Sequence, residues 1–422
     1  MPRADVVVIG AGLAGLSCAA ELAAGGARVC VAAAGYASTH WTHGGVDVAA
    51  PAAAKTSREG VTTLAAVDGH PYAWLAGSLD AAIAAHRTRM ETAAIGVVGT
   101  IDDPLVAIPT AIGALRPAAI LPAAQAPALR PWGGDGLLLV GIGRYRDAWA
   151  SYAARNLRAS AWADGPREVR AVEVDLPGLA ELNNLNAPSL ARRFDDAAWR
   201  ARALRTIAAR IPVGAWRIGL PAVLGVEAHA AVLEEARSAL GHDVVELPSL
   251  PPSVPGMRLA AALERQILAA DGRVQVGFDV VEVERDRRRI IAIHTEAASR
   301  TLRLVADAFV LATGGIGGTG VRAHPDGRLE ERVLGLPVAA PPRDRWFSED
   351  PLVPHPLEAA GIVVDDVHRP VGDDRMPLLD NVRVIGSALA GMRYLSERCG
   401  DGVALASAHH VASSLARPAV AA

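Results

Sequence analysis

The run V-V-V-I-G-A-G-L-A-G at Val6–Gly15 constrains this chain most. Four apolar residues lead into G-x-G-x-x-G at Gly10, Gly12 and Gly15, and an alanine-rich stretch, Leu13–Ala24, follows directly. Strand, glycine turn and helix in that order bring the free N–H groups of a helix start to the carboxyl end of a strand, where an anion such as a phosphate is favoured. Gly10 permits the tight turn, Gly12 lets the backbone approach the phosphate, and Gly15 lets helix and strand pack closely; Leu13 and Ala14 lie in the first helical turn. Gly25-Gly26 stop the helix and Arg28–Ala32 reads as a second strand, so the opening is a βαβ unit.

Composition narrows the class. With 51% hydrophobic and 21% charged residues over 422 positions, the chain is globular. A net charge of −3 and the lack of any basic run exclude nucleic acid as a partner. Cys18, Cys30 and Cys399 lie far apart, which argues against a disulfide scaffold, a metal centre or a protein-held iron–sulfur cluster. Lys55 is the single lysine and sits outside any P-loop. The apolar stretch 104–132 is interrupted by Pro104, Pro109, Pro117, Pro122, Pro127 and Pro131, so no transmembrane segment is expected. The chain enters its first strand without a basic leader, which reads as cytoplasmic.

Organisation along the chain is α/β throughout. Residues 1–100 form the first part of a Rossmann-like domain of the two-dinucleotide type. Residues 101–262 form an inserted α/β domain for substrate or partner contact, and 263–422 complete the first domain. Helix is expected from about 60 to 95. "LPSLPPSVPGMRL" (Leu247–Leu259) is too rich in proline for a helix or an inner strand.

The cofactor is read from what is missing. An acidic residue near Ala33 would grip the ribose of NAD, and an arginine the extra phosphate of NADP; the chain has Ala32-Ala33-Ala34. Tyr36, Ser38 and Thr39 offer only single hydroxyls. FMN has no adenosine ribose and needs no such hook, and FAD sites with a loop of the "HGG" kind manage without one. "FVLATGG", with Thr313 and Gly314, resembles the strand-turn lining the cofactor cleft of two-dinucleotide flavoproteins. "VIGSALAG…CGDGVALASAHHVA", with Gly386, Gly400, Gly402 and Val403, resembles their closing segment, whose helix start aims N–H groups at the flavin pyrimidine carbonyl. The expected cofactor is therefore FMN or FAD.

Thr42, Gly44 and Gly45 sit where flavoproteins of the succinate dehydrogenase/fumarate reductase kind contact the flavin. His40 or His43 would tether it or move a proton, and His43 and His70 are the candidate bases. Arg116, Arg258 and Arg393 are candidates for gripping a substrate phosphate. No Ser-His-Asp arrangement and no H-E-x-x-H is present.

These pieces together resemble one family, the B subunits of the anaerobic glycerol-3-phosphate dehydrogenase. The likeness runs through "VVIGAGLAGLSCAAEL", "HPY", "PTAIGALRP", "LLLVGIGRYRD", "LNNLNAPSLARRFDD", "LPSLPPSVPGMRL", "VLATGGIGGTG" and "NVRVIGSALAG…CGDGV". The resemblance implies a flavin-carrying subunit that works with an FAD-containing A subunit and an iron–sulfur C subunit, held at the inner face of the membrane through them. It implies oxidation of sn-glycerol 3-phosphate to dihydroxyacetone phosphate, with electrons passing to a quinone or another anaerobic acceptor. Two alternatives stay open: a stand-alone FAD oxidoreductase of the fumarate-reductase type, and a non-catalytic flavin relay.

Overall fold

The computed structural model describes residues 3–297 and 300–416. Positions 1–2, 298–299 and 417–422, which belong to the expected segments 1–100 and 263–422, lie outside the described residues. The chain divides into two compact units: 1–38, 47–89 and 260–422 form one, 39–46 and 90–259 the other. The short stretch 39–46, expected with the first segment, packs with the second unit instead.

The first unit is built on a seven-stranded sheet. Strand β1 (Ala4–Ile9), helix α1 (Leu13–Ala24) and strand β2 (Val29–Ala33) form the expected βαβ opening. Both strands are apolar and buried almost throughout, as parallel strands covered on both faces must be. α1 is buried on nearly every side because its small side chains let neighbours approach all round. β1 pairs in parallel with β2 (Val6 opposite Val29, Ile9 opposite Ala32) and with the end of strand Arg300–Leu311 (Val8 opposite Val310). Arg273–Val276 extends this layer beyond β2, and Val382–Val384 extends it beyond Phe309–Leu311. Strand Arg300–Leu311 does double duty: its first half closes an antiparallel meander with Asp279–Asp286 and Arg289–Ala297. The closing helix, Gly400–Leu415, is buried along most of its length. The helical stretch expected at 60–95 is two helices, Ser57–Ala65 and Tyr72–Thr92, the first capped by the Thr56 side chain on Glu59 N–H.

The second unit holds a four-stranded parallel sheet in the order Asp243–Leu247, Trp216–Pro221, Gly136–Ile142, Val169–Val174. Two of its amphipathic helices start on side-chain caps: Asn186 accepts from Ser189 N–H and Asp196 from Trp199 N–H, both at 2.9 Å. A large apolar core joins Leu137–Val140, Phe194, Trp199 and Ile218. The proline-rich string is the main correction here. A helix, Val254–Ala269, begins inside it, because Pro255 falls in the first turn where a missing N–H costs nothing. The Ser253 hydroxyl receives Gly256 N–H at that start.

Candidate cofactor site

At the carboxyl ends of β1, β2 and Arg300–Leu311, the first unit has a cleft of about 320 Å³. Gly10 and Gly12 line it from the β1–α1 turn, Ala33 to Ala37 from the end of β2, and Thr313 from beyond the third strand. The glycines there are required by geometry. Gly10 has φ +117°, and a Cβ on it would lie 2.3 Å from the Ala312 carbonyl oxygen. A Cβ on Gly15 would lie 2.1 Å from the Gly10 carbonyl oxygen, so α1 packs onto its own entry turn. Gly12 caps α1 with no side-chain hydrogen bond, and the first turn carries no acidic residue. The helix start therefore presents amides and the positive end of its dipole without a carboxylate to occupy them.

This cleft suits a flavin carrying a phosphate. Thr313 Oγ1 is buried, lines the cleft and has no hydrogen-bond partner among the described residues. A buried hydroxyl of this kind calls for a partner from outside the chain. Leu13 and Ala14 are buried in the first turn of α1, and Ala14 sets the limit on Gly386, where a Cβ would approach its own to 2.7 Å. Gly386 (φ +68°) donates its N–H to Ser407 Oγ, and Gly315 N–H reaches Ser387 Oγ, so the two loops bearing Gly314 and Gly386 are pinned by serines that sequence reasoning missed.

The closing segment departs from expectation. The Gly402 N–H donates to the Asp47 carbonyl at 3.0 Å, and Val403 N–H to the Cys399 carbonyl at 3.0 Å. Those two amides are spent inside the protein and do not point at a cofactor carbonyl. Gly402 is needed for another reason: a Cβ there would lie 2.2 Å from the Tyr72 hydroxyl and 2.9 Å from Val48 Cα. The Asp401 carboxylate accepts from Asp47 N–H, so an acid already sits on the first turn of the helix that begins at Gly400.

Of the candidate bases, His70 is closed off. It is fully buried; Tyr72 N–H donates to its Nδ1 at 3.1 Å, which places the ring proton on Nε2, facing Glu397 Oε2 at 3.4 Å. Burial raises the Glu397 carboxyl, but hydrogen bonds from His70 and Arg393 outweigh it and leave the pKa below the ordinary value. Cys399 joins this buried group, its Sγ 3.7 Å from Glu397 Oε2. The three ligand-type atoms converge, yet the Nε2 proton leaves His70 no lone pair for a metal.

The His40–Gly45 loop belongs to the second unit. The His40 carbonyl accepts Ser253 N–H at 2.7 Å, and the His43 carbonyl accepts the Gln125 amide at 2.7 Å. Partial burial pulls His40 below the usual imidazole pKa. Gly44 (φ +82°) meets Pro255, and a Cβ on Gly45 would lie 2.6 Å from both His43 Nε2 and the Ile120 carbonyl oxygen. The Thr42 hydroxyl bonds the Thr39 carbonyl. What demands glycine in this loop is the unit's own packing.

The arginines separate by environment. Arg258 is 3% exposed and its guanidinium is committed to Glu246 (2.7 and 3.0 Å) and to the Gly225 carbonyl (2.8 Å). It neutralises a buried carboxylate and is not placed to grip a substrate phosphate. Arg393 holds Glu397 through its backbone N–H and Nε, with the rest of its guanidinium half exposed. Arg116 lies half-buried on strand Leu115–Ala118.

Comparison with known proteins supplies the rest. The family model "FAD binding domain" matches residues 5–403. The probable B subunit of the anaerobic glycerol-3-phosphate dehydrogenase of Halobacterium salinarum is 30% identical over 98% of each chain. The B subunit of the anaerobic glycerol-3-phosphate dehydrogenase of Pectobacterium carotovorum is 31% identical over 98% of each. Among solved structures, the 3-ketosteroid delta1-dehydrogenase of Sterolibacterium denitrificans aligns at 12% identity with a TM-score of 0.47, covering 99% of this chain and 100% of that one. Of the two flavins left open by the sequence, the family match selects FAD, and the chain is a flavin-dependent oxidoreductase. No helix among the described residues is long and apolar enough to cross a membrane. With an open helix start at the carboxyl edge of its first sheet and near-complete likeness to these relatives, the chain belongs to the B-subunit family of the anaerobic glycerol-3-phosphate dehydrogenase, built on the FAD binding domain.

Proposed function

We propose that this chain oxidises sn-glycerol 3-phosphate to dihydroxyacetone phosphate and passes the electrons towards a quinone or another anaerobic respiratory acceptor. The observation that carries the reading is the uncapped α1 start in the 320 Å³ cleft, in a chain matched end to end by relatives of that name. FAD, when bound, supplies the two-electron acceptor for the substrate's C2 hydrogen. The chain's residues would hold it: the amides of Gly12 and Ala14 on its pyrophosphate, and Thr313 Oγ1 on a polar edge.

Both ring nitrogens of His70 face partners within the protein, which weighs against it as the base. Arg393 remains the arginine for the substrate phosphate. The cysteines are free, buried and not grouped as cluster ligands, so electrons leave this chain through partners. The resemblance makes those partners an FAD-containing A subunit and an iron–sulfur C subunit, with the assembly on the cytoplasmic face of the membrane.

The test is anaerobic addition of sn-glycerol 3-phosphate to the holoprotein, alone and co-purified with the two partner subunits. Bleaching of this chain's flavin absorption is the expected result. Bound flavin that stays oxidised in both preparations would sink the catalytic reading. The burial of both histidine candidates, His70 at 0% and His43 at 8% exposure, would then favour an electron relay.

A further inference from the structure

The acid absent from the end of β2 has a replacement on another strand. Val276 pairs with Ala33, and the N–H groups of both Gly277 and Phe278 donate to the Ala33 carbonyl at 2.9 Å. Gly277 takes φ +87° and turns the chain there, so the strand Asp279–Asp286 starts beside the end of β2. Asp279 lines the same cleft as Gly10, Gly12 and Tyr36. Its carboxylate is 48% exposed, and Arg332, also on the cleft, places Nη2 3.5 Å from Oδ2.

We propose that Asp279 is the residue that recognises the adenosine ribose of FAD, its carboxylate accepting hydrogen bonds from the ribose hydroxyls. An ionised carboxylate has about four acceptor sites, so it can keep Arg332 and still take a diol. The assignment also accounts for alanine at position 33. An acid there would set a second negative charge close to Asp279, and like charges at one site oppose each other. The acceptor has moved across the strand pair, from the end of β2 to the first residue of a strand that the Gly277 turn delivers to the same cleft. Arg332 pairs with the carboxylate at Oδ2. The inference rests on FAD binding by the family and is independent of the substrate assigned above.

The test uses the full chain stripped of flavin and titrated with FAD and with FMN, followed by quenching of flavin fluorescence. Asp279→Ala should weaken FAD binding about 10- to 100-fold, the worth of hydrogen bonds to a charged group, with FMN affinity changed less than about twofold. Asp279→Asn, which keeps one acceptor oxygen, should fall between. Thermal melting of the apoproteins checks that the half-exposed substitution leaves the fold intact, and Asp279→Asn serves where Asp279→Ala melts early. Unchanged FAD affinity in both variants would overturn the assignment, as would FAD and FMN affinities falling in parallel, or a wild-type protein that holds the two flavins equally. Intact selectivity for FAD with no bleaching by sn-glycerol 3-phosphate would touch only the proposed reaction.

Discussion

Two helix starts in this chain, one in each unit, are treated in opposite ways. In the first unit, α1 begins at Gly12 with no side-chain cap and no acid in its first turn, and the start faces an open cleft. In the second unit, the N–H groups of Val226, Glu227 and Ala228 converge on the Asp195 carboxylate at 3.0–3.3 Å. At the start of helix Ala150–Ala159, Ser151 N–H faces Glu173 Oε1 at 3.4 Å. A Cβ on Gly141 would lie 1.9 Å from Glu173 Oε2, so the glycine there makes room for the protein's own acid. By chain position the second sheet runs 2-1-3-4, an order that in doubly wound folds brings a ligand to the point where the winding reverses. Topology alone does not make such a site. A cluster of amides binds an outside anion only where the chain has not already filled it with a carboxylate.

The sharpest way to break this contrast is to give the first unit what the second has. Gly12 has φ −82° and ψ 179°, open to any residue, so Gly12→Asp should fold. It places a carboxylate on the α1 start, and FAD affinity should fall about a thousandfold, ~4 kcal/mol of like-charge repulsion. The apoprotein should hold its stability or gain a few tenths of a kcal/mol from the cap. FAD affinity close to wild type would mean that α1 is not the phosphate site. The reverse change, Asp195→Ala, strips three amides of their acceptor and should cost about 3 kcal/mol in denaturant unfolding. Inorganic phosphate should then raise the Tm of the variant more than that of wild type, and equal shifts would deny that these amides form an anion nest.

A smaller effect concerns buried histidines. In the second unit, His229 Nδ1 bonds the Leu224 carbonyl at 2.7 Å; in the first, His86 is buried and neither ring nitrogen has a hydrogen-bond partner among the described residues. Burial, helped by the charges of Arg89 and Arg87, lowers the His86 pKa to about 4. The unfolded chain takes up that proton near pH 6.5, so between pH 6.5 and 4 the unfolded state binds the proton and the folded state does not. Stability from this residue is therefore lost as pH falls through that window. His86→Phe should flatten the decline and change little at pH 7, as read by thermal melting across pH; an unchanged slope would show that His86 is not what makes the protein acid-sensitive there.

Much of the architecture was legible because its signals are local. The apolar run, the three glycines and Gly25-Gly26 mark β1, α1 and β2 to within a residue or two, since a parallel strand buried on both faces reads as unbroken hydrophobicity. "GLLLVGI" and "FVLATGG" announce buried strands for the same reason. Whole-chain likeness then named the family and, with it, FAD. The proline-rich string misled because proline opposes a helix only past its first turn, and Val254 happens to be where one begins.

By itself, then, the sequence determined an α/β chain with a phosphate-binding turn at its start and a strand-rich return to the same sheet. Tertiary structure decided which polar groups remain open. Arg258 and Arg393 both carry a guanidinium, yet only the packing shows that Glu246 and the Gly225 carbonyl take up one and that Glu397 takes part of the other. Gly402 looked like a donor to the cofactor; its N–H goes to the Asp47 carbonyl, and its lack of a Cβ allows close approach to Tyr72. Asp279 stands 246 residues from Ala33 in the chain, yet it lines the same cleft, three residues beyond the Val276 that pairs with Ala33. Local propensity depends on residues a few positions apart. The fate of a charge or an amide depends on whichever strand the sheet brings alongside it, and the local pattern does not encode that pairing.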